Sequence, residues 1–135
     1  MNLTLIGYWR EFDDATWWMP QNFVDKGWES HRRGAIVEYL KQGVRFHEAL
    51  GLSFCRYHCG MPDEGMGNAE LTDGMWFWPE GLVHYVEQHD LVLPSEFVDH
   101  MVKNHFRINS VTTDLEEATF DFEFWRAWCA KNSKG

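Results

Sequence analysis

Hydrophobic residues recur at helical spacing in two parts of the chain. Between residues 28 and 42 the apolar positions lie three or four residues apart, and Gly43 then provides a typical helix end. The same spacing follows Pro94, a residue type that favours the first turn of a helix. We expect both apolar stripes to be buried. They consist of Ala35, Ile36, Tyr39 and Leu40 in the first helix and of Phe97, Val98, Met101 and Val102 in the second.

A third helix is predicted over residues 79–89, beginning at Pro79. Its apolar stripe contains Leu82, Val83 and Val86. Glu80 and His84 are four residues apart, so a regular helix would place the carboxylate beside the imidazole. That pair would serve either as an acid–base pair or as an ordinary contact on the helix surface.

Alternation of apolar and polar residues predicts the strands. Residues 70–72 and 75–78 flank an Asp-Gly dipeptide at 73–74, which is a strong signal for a hairpin turn. Leu50, Leu52 and Phe54 also alternate, which predicts a strand that reaches Cys55.

The C-terminal part of the chain supports two interpretations. Residues 113–116, Thr-Asp-Leu-Glu, fit a capping box and favour a helix through residue 130. Phe120, Phe122 and Phe124 alternate, so a short strand before a final helix is the alternative. We favour a helix over residues 121–130. The whole pattern predicts an α+β fold, helix-rich with a small antiparallel sheet, as a single domain over residues 1–135.

Composition supports one packed core. The chain has 135 residues, of which 44% are hydrophobic and 16% aromatic, which is too apolar for a disordered protein. Its first residues lack the basic segment of a signal peptide, and no apolar run approaches the roughly 18 residues of a membrane span. We therefore expect a cytoplasmic protein without membrane contact.

Charge bears on the choice of partner. Twelve basic residues stand against 21 acidic ones, for a net charge of −9, which disfavours binding to nucleic acid and favours a basic protein partner. Aromatic residues and acids alternate over residues 114–125. If exposed, this run would bind a basic partner, and the alternative is an ordinary solvated surface. Its acids are Asp114, Glu116, Glu117, Asp121 and Glu123.

Two cysteines give the best candidate for a metal site. Cys55 and Cys59 are separated by three residues and followed by Gly60, whose flexible backbone suits a knuckle-like turn. A distant histidine, His84 or His89, would have to complete a zinc site. Because structural zinc usually takes four ligands and no second cysteine pair is present, two thiols beside a loop without metal are the alternative.

Catalytic signatures are missing from the sequence. It contains no G-x-S-x-G motif, no phosphate-binding glycine loop with its lysine and no H-E-x-x-H motif. The simplest prediction is therefore a protein that is not an enzyme and needs no cofactor, with zinc as the alternative.

The string WPEGLVHYVEQHDLVLPSEF, within residues 70–100, and CRYHCG at residues 55–60 carry a resemblance. With them the chain resembles a family of small bacterial proteins of uncharacterised biochemistry, in which the motif is C-R-x-C-G. That family has two residues between the cysteines and this chain has three. In size and acidity the chain is also similar to the immunity proteins of bacterial toxin–immunity pairs, including contact-dependent growth inhibition systems.

These observations lead to two hypotheses about function. The first is a non-enzymatic immunity protein that neutralises a cognate basic toxin of the nuclease type, using the acids of the C-terminal run. The alternative is a small metal-binding or thiol-dependent protein that uses Cys55 and Cys59 with His84.

Overall fold

A five-stranded mixed sheet organises the chain. A computed structural model describes residues 2–10, 16–111 and 115–134. The strands lie side by side in the order β2-β3-β4-β1-β5. Their bounds are β1 Asn2–Leu5, β2 Val44–Glu48, β3 Ala69–Thr72, β4 Trp76–Pro79 and β5 Thr119–Asp121. With the helices described below, this arrangement is an α+β fold.

The predicted hairpin forms the antiparallel half of the sheet. β3 pairs with β4, with Thr72 opposite Phe77, and β2 pairs with the other edge of β3. Gly74 has a φ of 99°, a left-handed conformation that glycine adopts at little cost. The Asp73 carboxylate accepts hydrogen bonds from the backbone N–H groups of Met75 and Trp76 at 2.9 and 2.8 Å, so local chemistry fixes this turn.

The other half of the sheet is parallel, so the prediction of an antiparallel sheet is correct only for β2, β3 and β4. β1 lies between β4 and β5 and is parallel to both. Neither partner adjoins it in sequence, since β4 follows about seventy residues later. A strand of four residues whose partners are that distant leaves no local pattern of a hairpin.

The expected strand at Leu50, Leu52 and Phe54 is also wrong, because the strand ends earlier, at Glu48. Leu50 is fully exposed and Leu52 is 49% exposed. Their alternation therefore does not mark a buried face. Residues 49–60 instead form an irregular segment, held to the end of β3 by the bond from Ala49 N–H to the Asn68 carbonyl, at 2.8 Å.

Five α-helices lie within the described residues. They are α1 Arg33–Lys41, α2 Asp63–Met66, α3 Leu82–Gln88, α4 Ser95–Lys103 and α5 Glu123–Asn132. Pro94 precedes α4 as predicted, but Val102 is 39% exposed, so the buried face of α4 is Phe97, Val98 and Met101. Pro79 ends β4 instead of opening α3. Within the described residues, no helix combines the length and apolar character that crossing a bilayer requires.

Helices cover one face of the sheet. Trp78 of β4 is fully buried, and its indole N–H donates to the Leu40 carbonyl of α1 at 3.2 Å. Its ring also lies 5.4 Å from that of Phe97 in α4. Phe77, the neighbouring residue, points to the opposite face, where its ring lies 6.0 Å from that of Phe46 and 5.2 Å from that of Phe120.

At the C-terminal end the strand alternative is correct. Residues 115–117 form a short 3-10 helix, β5 follows, and α5 begins at Glu123. Thr113 and Asp114 of the expected capping box lie outside the described residues. Phe122 immediately precedes α5 and is exposed, whereas Trp125 is fully buried and donates its indole N–H to the Tyr8 carbonyl at 3.0 Å.

Candidate metal centre

Two cysteines and two histidines converge at one point of the structure. Cys55 and Cys59 come from the irregular segment, His84 from the first turn of α3 and His89 from the position directly after α3. One ligand atom from each side chain lies within 4.8 Å of all the others. We refer to these four residues as the Cys-His cluster.

Three of the six distances between the ligand atoms are close to the edges of a tetrahedron around zinc. The two sulfurs are 3.7 Å apart, and bonds of about 2.3 Å to a common zinc ion would put them about 3.8 Å apart. The Cys55 sulfur lies 3.6 Å from Nε2 of His89, and the Cys59 sulfur lies 3.4 Å from Nε2 of His84. The edge expected between sulfur and nitrogen ligands is about 3.6 Å.

A tight turn brings the two cysteines together. The His58 N–H donates to the Cys55 carbonyl at 2.9 Å, and His58 itself has a φ of 50°. Gly60 has a φ of 95°, so the backbone can leave the turn without a side-chain clash. Backbone N–H groups of Tyr57 and Cys59 hydrogen-bond to the Cys55 sulfur and stabilise its thiolate. Burial outweighs these two bonds and raises the pKa of the Cys55 thiol, so the turn positions the sulfur without making it an anion.

Tyr85 holds this turn against α3. Its buried hydroxyl accepts a hydrogen bond from Arg56 N–H at 2.9 Å and lies 3.4 Å from the Phe54 carbonyl. Tyr85 follows His84 directly, so the residue that anchors the cysteine segment is next to a candidate ligand. The geometry of the cluster thus depends on packing between two segments about thirty residues apart.

The end of α3 allows both histidines to reach the same point. Five residues of a regular helix would turn His89 by about 140° from His84, away from the cysteines. Because α3 ends at Gln88, the His89 backbone leaves the helical conformation, with φ −126°. Its imidazole stacks on Tyr57 at a centroid distance of 4.0 Å, and Asp90 forms an ion pair with Arg33 at 2.6 Å.

The surroundings of both imidazoles favour the neutral form, which is the form that binds a metal. Burial lowers the pKa of His84, and the neighbouring His89 lowers it further. Burial also lowers the pKa of His89, although Asp90 opposes that effect. Burial is the largest influence on the Cys55 thiol and raises its pKa, so without a cation the thiolate is disfavoured there. A metal ion would reverse that preference.

The cluster is closed on one side and open on the other. Cys55 and His84 are buried, His89 is half-buried and Cys59 is exposed. The Nδ1 atom of His84 is also buried and has no hydrogen-bond partner among the described residues. The cluster is therefore exposed to solvent on the Cys59 side.

The sequence indicated three of these four residues as a set and named His89 only as an alternative to His84. A signal for the complete set was present, since C-x3-C followed by H-x4-H falls within the usual spacing of zinc ligand pairs. The expected contact between Glu80 and His84 was wrong, because Glu80 precedes α3. Its carboxylate instead binds Arg45 at 3.0 Å and the Ala69 N–H at 3.1 Å.

The acids of the C-terminal run are not gathered around one point. Glu116 and Glu117 are exposed on the 3-10 helix, and Glu123 is exposed in the first turn of α5. Asp121 is half-buried, and its carboxylate accepts a hydrogen bond from the Glu123 N–H at 2.8 Å. Asp114 lies outside the described residues.

Two aromatic rings lie exposed among these acids. Phe120 is 43% exposed and Phe122 is 42% exposed. Both rings contact Phe77, at 5.2 and 6.3 Å between centroids, so they lie side by side on the sheet. We refer to Glu116, Glu117, Phe120, Phe122 and Glu123 as the acidic aromatic surface.

Comparison with known proteins gives no family assignment. No protein family, curated protein or solved structure matches this chain. The resemblance to small bacterial proteins and to immunity proteins therefore stays a prediction, and any function has to be argued from the geometry of the chain itself.

Proposed function

We propose that this protein binds one zinc ion through Cys55, Cys59, His84 and His89, and that the ion is structural. The observation that carries the proposal is the agreement between three distances within the Cys-His cluster, each of which includes a sulfur, and the edges of a zinc tetrahedron. Two thiolates and two imidazoles are also a donor set typical of structural zinc.

The number of ligands supports a structural role over a catalytic one. Catalytic zinc sites usually have three protein ligands and leave the fourth position to water or substrate. Here four side chains lie within 4.8 Å of one another and can fill all four positions. The ion would then fasten the segment containing Cys55 and Cys59 to the helix containing His84.

The donor atoms also favour zinc over the common hard cations. Magnesium and calcium prefer oxygen ligands, whereas thiolates and imidazoles suit zinc. No carboxylate belongs to the cluster among the described residues.

Metal analysis of protein purified without an affinity tag tests this proposal. We expect about one zinc per chain, and strong reduction in Cys59→Ser and His89→Ala. His58→Asn is a matched control, because it removes an imidazole from the same turn and asparagine tolerates the positive φ. Cys129→Ala removes a buried thiol elsewhere and should also retain the metal.

Replacement of zinc by Co²⁺ gives an independent result. Tetrahedral coordination with two thiolates should produce thiolate-to-cobalt charge-transfer bands that weaken in Cys59→Ser. The proposal is wrong if the folded wild-type protein contains no stoichiometric zinc after reconstitution under reducing conditions, or if His89→Ala retains the full amount.

A second function, binding to a basic protein partner, is proposed for the acidic aromatic surface. The specific observation is that Phe120 and Phe122 are each more than 40% exposed beside exposed acids, on a chain with net charge −9. Exposed aromatic rings serve as anchors in interfaces, and acids around them select a partner of opposite charge. An immunity protein that covers the active site of a basic nuclease toxin would need such a surface.

Two variants test this second proposal. The bait is the C-terminal domain of a toxin encoded beside this gene, and binding is measured at several salt concentrations. We expect Phe122→Ala to weaken binding by at least tenfold, as for an interface anchor. Glu117→Lys should weaken it mainly at low salt.

Glu64→Lys is the matched control for charge, since Glu64 is an exposed acid on α2, outside the surface. Equal effects of Glu117→Lys and Glu64→Lys would contradict a localised surface. Binding that is unchanged in Phe122→Ala would contradict the anchor.

A further inference from the structure

Glu70 of β3 is a half-buried acid whose side chain has no hydrogen-bond partner among the described residues. Its carboxylate makes no hydrogen bond or ion pair with any described residue. Burial raises the pKa of Glu70, and a charge on His47, the neighbour across the strand pair, would lower it. Neither carboxylate oxygen of Glu70 is a buried atom without a partner, so the group keeps contact with solvent and stays accessible to a ligand.

The adjacent acid shows that this part of the protein can satisfy a carboxylate. Glu80 accepts hydrogen bonds from the N–H groups of Asn68 and Ala69, at 3.3 and 3.1 Å, and pairs with Arg45 at 3.0 Å. Glu70 lies one residue beyond Ala69 and receives none of these contacts. The difference makes Glu70 the group that remains available to a ligand.

Glu70 lines a cleft of about 200 Å³. This volume is below the 300–1,000 Å³ typical of sites for drug-sized molecules, so it suits a small ligand or one side chain. Most of the wall is apolar or backbone. Its apolar side chains include Leu5, Tyr8, Leu52, Met66 and Pro79.

Hydrogen bonds between backbone segments hold the cleft open in its present shape. Ser53 N–H donates to the Gly67 carbonyl at 2.8 Å, and Ala49 N–H donates to the Asn68 carbonyl at 2.8 Å. The amide of Asn68 in turn donates to the Ala49 carbonyl at 3.1 Å. A ligand would therefore meet a preformed wall, which reduces the entropy lost on binding.

We propose that the Glu70 cleft binds an aliphatic primary ammonium group, either on a free amine or on a lysine side chain. The Glu70 carboxylate would pair with the ammonium, and the apolar wall would cover the aliphatic stem. Anions are disfavoured because Glu80 also lines the cleft. This site is separate from the Cys-His cluster, and the proposal does not depend on bound metal.

Nuclear magnetic resonance titration with n-butylammonium tests the proposal. We expect saturable shift changes of the backbone amides of Gly67, Ala69 and Leu52. Glu70→Gln should weaken binding by at least tenfold, because it removes the charge and keeps the shape. Glu64→Gln, an exposed acid on α2, is the matched control and should bind as the wild type does.

A neutral probe and a second amine complete the design. We expect n-butanol, which has the same stem without charge, to bind at least tenfold more weakly. Saturation by N-acetyl-lysine methylamide as well as by n-butylammonium would indicate that a lysine side chain is accepted, and saturation by n-butylammonium alone would indicate a free amine. The proposal is overturned if neither amine saturates these shifts, if Glu70→Gln binds equally well, or if n-butanol matches n-butylammonium.

Discussion

Two polar clusters of this protein differ in whether their polar groups satisfy one another. In the first, the Asp73 carboxylate is only 1% exposed and accepts hydrogen bonds from the Tyr39 hydroxyl and two backbone N–H groups, with His100 Nε2 at 3.1 Å. In the second, the Cys-His cluster, the contacts between side chains are thiol contacts of 3.4–3.7 Å. One cluster satisfies its own polar groups, and the other brings four metal-ligating atoms within 4.8 Å of one another.

This difference separates a structural network from a candidate site. The Asp73 network joins α1, the hairpin and α4 with ordinary hydrogen bonds, and it needs no ligand. Burial is the first cause that raises the pKa of Tyr39, and the Asp73 carboxylate beside it adds to the effect, so this hydroxyl stays a donor. Thiols are weak hydrogen-bond donors and acceptors. The four side chains of the Cys-His cluster therefore stabilise one another poorly without a cation.

Removal of metal should have the largest effect on the free energy of unfolding. If it had no effect, the distinction between the two clusters would be wrong. At free zinc one thousand times the dissociation constant, binding adds about 4 kcal/mol to the free energy of unfolding. We expect excess EDTA to remove that contribution from the wild type and to change Cys59→Ser little. Thermal unfolding measures both, and hydrogen exchange of the His58 amide should accelerate in parallel.

An equal effect of EDTA on the wild type and on Cys59→Ser would contradict a metal at this cluster. His58→Asn should respond to EDTA as the wild type does, since it retains all four candidate ligands.

Disruption of the Asp73 network should have the second largest effect on the free energy of unfolding. Asp73→Asn keeps the size of the side chain but turns one acceptor into a donor, opposite the Tyr39 hydroxyl and the His100 ring. We expect a loss of about 2–3 kcal/mol in the free energy of unfolding, as for a buried hydrogen bond to a charged group. Urea unfolding measures this loss.

The zinc content of Asp73→Asn should equal that of the wild type. The losses in the free energy of unfolding caused by Asp73→Asn and by Cys59→Ser should add, because the two clusters share no residue. A reduced zinc content in Asp73→Asn would show that the clusters are coupled and that the distinction drawn between them is too sharp.

Substitution of Glu70 should have a smaller effect, and it should raise the free energy of unfolding instead of lowering it. Since the pKa of Glu70 is raised in the folded state, that state binds the proton more tightly than the unfolded chain does. The stability that this proton confers is complete below the unfolded pKa of about 4.3 and is lost as pH rises through the folded value. We therefore expect Glu70→Gln to be more stable than the wild type at pH 7.

The pH dependence of that difference is the diagnostic measurement. Unfolding of wild type and Glu70→Gln at a series of pH values should show their stabilities converging toward pH 4. A variant that is less stable than the wild type at pH 7 would mean that the Glu70 carboxylate has a stabilising partner.

Local signals in the sequence predicted the elements whose partners are near in the chain. Asp73-Gly74 determined the hairpin, because its turn chemistry lies within four residues. Pro94 and the stripe at Phe97, Val98 and Met101 determined α4 for the same reason. β1 was missed, because a strand of four residues becomes recognisable only beside β4 and β5, which lie far along the chain.

The candidate metal site was likewise predictable only where its residues are near one another in the chain. The cysteine turn was recognisable, since its residues are contiguous and Gly60 marks the backbone reversal. His84 and His89 were individually visible but could not be placed on one point, because a regular helix would separate them. Their convergence depends on α3 ending at Gln88 and on Tyr85 holding the cysteine segment in place.

By itself, the sequence determined the donor atoms, the charge of −9 and the turns that short-range hydrogen bonds create. Only the tertiary structure decided which donors meet, that Glu80 finds partners while Glu70 does not, and that Phe120 and Phe122 remain exposed. The physical reason is that residue type sets what a group can bind, whereas burial and direction depend on packing between distant segments.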